Sequence, residues 1–289
     1  MIVIERVGPA ATIQDLGRPG WFDSGVGPSG AADRGALRLA NRLVGNPEGH
    51  AGIEVLLGGL TLRAEVPVLA AVTGAPAPAT VDGTPVGHAS VLHLAPGQVL
   101  RLGLARTGLR SYIGVRGGVD VAPVLGSRSH DTLSGIGPPP LRGGEVVPIG
   151  PQPAEWPNID QAPQPGSSGT LEIRALPGPR DDWFTDPAAL FTGHWTVSPD
   201  TDRVGARLDR ADGPPLRRIS TAELPTEGMA LGSVQVPPGG QPVVFLADHP
   251  ITGGYPVIAV VADADIDRMA QARPGQRIRF RGAARVPTQ

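Results

Sequence analysis

The sequence predicts a mainly β protein, built as two strand-rich lobes with a few short helices. Three observations predict it. Its apolar runs are short, rich in Val, Ile and Leu, and bounded by Pro and Gly, as buried strands are. The 41 glycines and 33 prolines are spread between those runs instead of forming repeats, which supplies frequent turns. Residues 150–169, GPQPAEWPNIDQAPQPGSSG, lose all apolar periodicity and mark a surface crossing. The expected organisation is an N-terminal lobe at 1–150 with one helix, a linker at 151–169 and a C-terminal lobe at 170–289.

In chain order, strands are expected at 2–4, 53–57, 68–72, 91–94, 99–104 and 112–115. One helix interrupts them: Ser29 can cap its first turn, Leu37, Ala40, Leu43 and Val44 form its apolar face, and Gly45-Asn46-Pro47 stops it. Beyond the linker, strands are expected at 171–176, 243–246, 257–261 and 277–280, with a short helix at 263–272. Residues 96–102 and 274–280, PGQVLRL and PGQRIRF, echo each other as a turn entering a strand.

Composition narrows the chemistry. With 289 residues, 40% hydrophobic content and net charge −2, the chain can bury a core and lacks the basic face that nucleic acid requires. No apolar run reaches the roughly 18–20 residues of a membrane span and residues 1–6 are not a leader, so a cytoplasmic protein is expected. There is no cysteine, which excludes disulfides and thiolate chemistry. All 25 basic Lys+Arg residues are arginine, so no biotin can be carried on this chain, and no Schiff base, Walker A lysine or Ser-Ser-Lys triad can form. The six histidines lack zinc-ligand spacing, and no metal is expected.

Polar chemistry concentrates at 232–261, GSVQVPPGGQPVVFLADHPITGGYPVIAVV, where Asp248, His249, Thr252 and Tyr255 surround Gly253-Gly254 between two apolar runs. Paired glycines permit positive φ, so Thr252, Gly253 and Gly254 can present N–H groups to an anionic oxygen; a hairpin turn satisfying its own backbone is the competing reading. His249 is read either as a proton carrier or as an exposed turn residue. Upstream in the same lobe, Arg203 offers a fork for carboxylate or phosphate, Gln235 an amide edge, and Glu227 or Asp248 a carboxylate to order water or take a proton. An Arg203–Glu227 structural pair is the alternative. In the first lobe, Gly25-Val26-Gly27-Pro28-Ser29-Gly30 fits a dinucleotide motif but lacks the preceding buried strand and the βαβ unit. A bare helix N-terminus there can still receive an anion, which makes Ser29, Gly30 and Arg18 candidate anion-binding residues. Gln14, Asp15, Arg18 and Glu54 are read equally as structural pairs or as part of a subunit interface.

That segment, with TIQDLGRPG at 12–20, GPSGAAD at 27–33, LANRLVGNP at 39–47, LGSRS at 125–129 and LPGPRDD at 176–182, resembles the family called allophanate hydrolase subunit 2, KipA or the C subunit of 5-oxoprolinase. This family is related to the biotin-dependent carboxyltransferase portion of urea carboxylase. The match runs in order from about residue 13 to residue 280, with one departure, His249-Pro250-Ile251 in place of a Gln-Thr pair after Ala-Asp. The resemblance implies cyclophilin-like β-barrel lobes. It also implies an ATP-dependent complex opening 5-oxoproline to glutamate, in which this chain is inactive alone. Its partners there would be a KipI-like B subunit, also called allophanate hydrolase subunit 1, and a separate 5-oxoprolinase A subunit. In that scheme the candidate catalytic residues are Asp248, Glu227 and Arg203, and the candidate substrate-binding residues are Gln235, Thr252, Gly253, Gly254 and Tyr255. Two other readings stay open: carboxyl transfer to urea or a related amide with a biotin carrier in trans, and KipA-like sequestration of a KipI-like kinase inhibitor.

Overall fold

The structure is a computed structural model that describes residues 1–163, 169–220 and 222–283. It divides into two compact units, one of Met1–Pro19 with Ser29–Gly166 and one of Gly20–Pro28 with Ser167–Gln289. A linear reading puts residues 20–28 in the first lobe. They group with the second because Gly27 packs there, where an added Cβ would lie 3.5 Å from the His249 carbonyl and 3.8 Å from Ile251.

The first unit contains β1 (Ile2–Arg6), β2 (Ala10–Gln14), α1 (Arg34–Leu43), β3 (Gly52–Leu56), β4 (Thr61–Ala64), β5 (Val68–Gly74), β6 (Ala79–Val81), β7 (Thr84–Val86), β8 (Val91–Leu94), β9 (Val99–Leu102), β10 (Arg110–Val115) and β11 (Glu145–Val147). They form two sheets, β11-β1-β4-β9-β6-β7 and β2-β3-β10-β5-β8. Both sheets feed one core: Ile2, Ile4, Leu62 and Leu100 come from the first, and Ile13, Ile53, Val72 and Ile113 from the second. Apolar burial of this kind is the main favourable term holding such sheets together. Strand β10 is buried at every position because it lies inside its sheet and under α1.

Helix α1 starts at Arg34, and its N-cap is Asp33, whose carboxylate accepts from Ala36 N at 2.8 Å. The expected Ser29 cap is therefore corrected. Ser29 sits upstream at φ 51°, outside the helical region, with its hydroxyl directed to the His130 carbonyl. Leu37, Ala40 and Leu43 do bury the helix face, and Gly45 at φ 70° ends it. Asn46 then locks that end, donating to Asn41 Oδ1 and to the Val115 carbonyl while accepting from Gly117 N.

The second unit contains β12 (Leu171–Pro177), β13 (His194–Val197), β14 (Gly205–Asp212), β15 (Glu227–Gly228), β16 (Ser233–Gln235), β17 (Val243–Phe245), β18 (Thr252–Gly253), β19 (Val257–Val261), α2 (Asp263–Ala270) and β20 (Arg277–Gly282). Seven of them close a barrel in the order β12-β19-β16-β17-β14-β13-β20 around Trp195, Phe280, Ile173 and Val234. The mainly β class is as the sequence predicts, and the closed barrel is what the resemblance implies for this lobe, whereas the strands of the first unit form two sheets. The competing hairpin reading of residues 246–256 fails here. Strands β17 and β19 are not a hairpin; both pair antiparallel with β16, which lies between them, so they run parallel to each other. Residues 246–256 are accordingly a crossover connection, the only kind that can join parallel strands.

Candidate functional site

The polar residues singled out in the second unit hang on this crossover. Beyond the Gly205–Phe245 pairing of β14 with β17, Leu246 N donates to the Val204 carbonyl and Asp248 N to the Arg203 carbonyl, at 2.9 and 3.0 Å. The ladder thus continues past the barrel and sets Arg203 against Asp248. Arg203 donates from Nε to Oδ2 at 2.8 Å and from Nη2 to Oδ1 at 3.1 Å, with side chains 9% and 0% exposed. A bidentate guanidinium–carboxylate pair out of water is the strong form of this interaction. The Arg203–Glu227 alternative is overturned, because Glu227 pairs with Arg180. Arg180 Nε donates to Glu227 Oε1 at 2.9 Å, and that hydrogen bond raises the guanidinium above its ordinary value.

A second group forms at the far end of the crossover. Strand β18 pairs with β15, Glu227 opposite Gly253 and Gly228 opposite Thr252, and Met229 N donates to the Ile251 carbonyl. Gln235 Nε2 reaches the Tyr255 carbonyl at 3.2 Å and the Met229 sulfur at 3.7 Å. A Cβ on Gly253 would come within 2.7 Å of that amide, so a larger residue there would push the Gln235 side chain aside. Neither Gly253 nor Gly254 has positive φ, which corrects the expected left-handed turn. Thr252 and Tyr255 are exposed, whereas Gln235 is buried. His249 is buried, not an exposed turn residue; its ring stacks on Phe245 at 6.0 Å, and Nδ1 lies 2.9 Å from the Pro250 carbonyl. The structure therefore gathers Arg203 with Asp248, and Glu227 with Gln235 and residues 252–255.

In the first unit, the helix N-terminus is not bare. Ala32 N donates to Glu54 Oε2 at 3.0 Å, Asp33 N to the Tyr112 hydroxyl at 2.8 Å, and that hydroxyl to Glu54 Oε2 at 2.7 Å. Burial first, and the Glu54 charge second, push the Tyr112 phenol well above its usual range. These groups serve the protein's own carboxylates, so the expected anion site at the helix start is corrected. Asp15 is likewise structural: Oδ1 accepts from Ser127 and Ser129, each at 2.6 Å, and from Gly17 N at 2.8 Å. Gln14 Nε2 donates to the His130 carbonyl at 2.9 Å. Arg18, Ser29 and Gly30 nonetheless come together: a Cβ on Gly30 would meet Gly17 at 2.9 Å, and Arg18 Nη2 donates to the Ser129 carbonyl next to His130.

Sequence reasoning missed a cavity of about 440 Å³ in this unit, lined by His93, Gln98, Arg116, Gln152 and Trp156 among others. The Arg116 guanidinium lies 4.4 Å from the centre of the Trp156 ring and donates to the Val44, Pro153 and Glu155 carbonyls. A tryptophan inside an otherwise Pro/Gly-rich linker was the available signal. Among the described residues no group of three or more His, Asp or Glu side chains could hold a metal ion, and no helix is long and apolar enough to cross a membrane.

Over residues 24–282 the sequence matches the family described as carboxyltransferase domain, subdomain A and B. It is 40% identical over 288 residues to the C subunit of the 5-oxoprolinase of Escherichia coli (strain K12), covering 97% of this chain and 90% of that protein. Among solved structures it is similar to the Kluyveromyces lactis urea carboxylase, with TM-score 0.90 and 28% identity, over 98% of this chain but 27% of that one. It is also similar to the protein TTHA0988, with TM-score 0.87 and 34% identity, over 97% of this chain and 55% of that one. The chain thus spans about half the length of one solved relative and about a quarter of the other.

Proposed function

The chain belongs to the carboxyltransferase-domain family that includes the 5-oxoprolinase C subunits, and from that membership we propose that it is the C subunit of an ATP-dependent 5-oxoprolinase. The observation that supports this reading is the 40% identity to the Escherichia coli protein over 97% of the chain. Its partners in the proposal are a KipI-like B subunit and an A subunit, in the cytoplasm where ATP is available, and the chain is inactive alone.

A five-membered lactam is a poor electrophile, and ATP overcomes this by phosphorylating the lactam oxygen and releasing ADP. Water then adds to the activated carbon, and the ring C–N bond breaks as nitrogen takes a proton. A second water converts the resulting acyl phosphate to glutamate and inorganic phosphate. The exposed end of the crossover suits the substrate side of this chemistry: Thr252 and Tyr255 face solvent, and Glu227 stands opposite Gly253. In the proposal Glu227, oriented by Arg180, takes the proton of the attacking water. The exposed Thr252 binds the developing oxyanion, and Gln235 fixes the strand that carries it. Arg203 and Asp248, buried against each other, are positioning residues that set the start of the crossover.

The test is ATP hydrolysis and glutamate release by this chain mixed with its B and A partners, with and without 5-oxoproline. Substrate-stimulated hydrolysis with one glutamate per ATP is expected; a stable complex giving neither product overturns the reading. The likeness to urea carboxylase favours a second reading, carboxyl transfer from a biotinylated carrier. Because every basic Lys+Arg residue among these 289 is arginine, the biotinylated lysine must lie outside them, and copurification of a biotinylated carrier with carboxylated urea as product would decide for it.

A further inference from the structure

Arg18 is 1% exposed, yet its guanidinium makes a single hydrogen bond, from Nη2 to the Ser129 carbonyl. Nε and Nη1 are buried and have no hydrogen-bond partner, and among the described residues no carboxylate forms an ion pair with Arg18. The carboxylates carried by the neighbouring loops are committed elsewhere. Asp15 is held by Ser127, Ser129, Gly17 N and Arg128 N, and Asp131 by Leu133 N and Ser134. Arginine does not lose its proton at any pH a protein survives, so the charge cannot be relieved by neutralisation. A buried charge without its counter-charge is a heavy cost to the fold, tolerated where a ligand supplies the missing partner.

The surroundings are shaped to keep this guanidinium in place. A Cβ on Gly137 would fall 3.2 Å from Nη2 and 2.0 Å from the Ser129 carbonyl, and Gly30 packs directly against Gly17. Residues 132–135, next to Gly137 in the chain, are exposed, so the segment that contacts the guanidinium is part of a surface loop. Unlike Arg203, which is spent on Asp248, and Arg180, which is spent on Glu227, Arg18 retains its donors for an incoming oxyanion.

We propose that Arg18 is the anchor of a carboxylate-binding site in the first unit, and that it takes the carboxylate of a small amide substrate or its product. This rests on the 5-oxoprolinase reading for the identity of the ligand, since 5-oxoproline and glutamate each carry a carboxylate, but not for the existence of the site. The donors left on Nε and Nη1 lie on different edges of the guanidinium, so each can serve one carboxylate oxygen, and the ligand's charge supplies the missing counter-charge.

The experiment is calorimetric and thermal-shift titration of the full chain with 5-oxoproline, glutamate, succinate and inorganic phosphate, on the wild type and on Arg18→Met. At least one carboxylate is expected to bind and raise Tm in the wild type, and Arg18→Met is expected to weaken it about 10- to 100-fold. Without ligand, Arg18→Met is expected to be no less stable than the wild type, because it removes a buried unpaired charge. As a readout that does not depend on that variant folding, the Arg18 Nε–H proton resonance, assigned by its loss in Arg18→Lys, is expected to shift on carboxylate addition. Succinate binding through Arg18 without 5-oxoproline binding would keep the site and remove its substrate. Binding of 5-oxoproline with equal affinity by both proteins would overturn the site and leave the substrate reading intact. Phosphate as the sole ligand, or no ligand effect on Tm and resonance, would overturn the proposal and leave Arg18 as a structural arginine.

Discussion

Replacing either member of the Arg203–Asp248 pair is expected to destabilise the barrel unit more than replacing both. The carboxylate receives two hydrogen bonds of 2.8 and 3.1 Å from a guanidinium that is itself 9% exposed, while its own side chain is 0% exposed. At a charge separation of about 4 Å and an effective dielectric constant near 20, the attraction is on the order of 4 kcal/mol. Asp248→Leu leaves Arg203 charged and buried, and Arg203→Met leaves Asp248 in the same state, so each is expected to cost about 3–5 kcal/mol. The double substitution removes both charges together with their desolvation and is expected to fall within about 1–2 kcal/mol of the wild type, a coupling of at least about 3 kcal/mol. Urea unfolding at pH 7 reads this, followed by fluorescence in a background where Trp21, Trp156 and Trp183 are replaced by Phe, which leaves Trp195 in the barrel core as the probe. With a urea dependence of about 1–3 kcal/mol per molar, each single variant is expected to lose at least about 1 M in midpoint. Additive losses in the double variant would refute the reasoning. So would Asp248→Asn abolishing turnover in the assembled complex at unchanged stability, which would return Asp248 from positioning to chemistry.

Other outcomes follow from single contacts. Asp33→Ala removes the cap of α1 and is expected to cost about 0.5–2 kcal/mol in thermal or urea unfolding, whereas Ser29→Ala leaves the helix start intact. Tyr112→Phe strips the Asp33 N–H and Glu54 of a buried partner and is expected to cost about 1–3 kcal/mol at pH 7. Because the Tyr112 phenol is raised in the folded state, its contribution is complete below the unfolded value of about 10 and is lost as pH rises through the folded one; the variant should lose less stability in alkali than the wild type. Burial alone would raise the Asp265 carboxyl, but hydrogen bonds from the Arg174 side chain and backbone hold it below its ordinary value. Its contribution is therefore present above about pH 3.9 and lost as pH falls through the folded value, so Asp265→Asn should flatten the acid limb of a stability profile. Gly178→Ala would set a Cβ 2.3 Å from the Val257 carbonyl, a backbone clash expected to lower stability by about 1–3 kcal/mol and to lower Tm.

The strands legible in the sequence were those whose apolar runs are continuous, such as β5, β10 and β19, each buried along nearly all its length. Among those missed, β14 alternates with arginine and aspartate on its outer face, β6, β7 and β11 are three residues each, and β2 is buried but carries polar Thr12 and Gln14 in its apolar run. The helices were legible within a few residues, because α1 has a regular apolar face and a Gly-Asn-Pro stop. Its cap was not. Ser29 and Asp33 are both good capping residues, and the choice fell to Asp33 because Ser29 is held at positive φ with its hydroxyl on His130, 101 residues away. The end of the candidate site where Thr252 and Tyr255 face solvent was visible as a Gly-Gly pair among polar residues, while the exposed-turn reading of His249 fails because the Phe245 ring stacked on it is a tertiary neighbour.

By itself, the sequence determined the mainly β class, the absence of lysine and cysteine chemistry, the order of the family motifs, and which residues are polar enough to do work. Tertiary structure decided what each of them does. Strand β16 inserts between β17 and β19, which turns an apparent hairpin into a crossover. Arg203 meets a carboxylate 45 residues away, Arg180 one 47 residues away, and Arg18 none among the described residues. The physical reason is that side-chain periodicity records only which way a residue faces, whereas charge pairing depends on distances set by strand register, and register is fixed by the whole core at once.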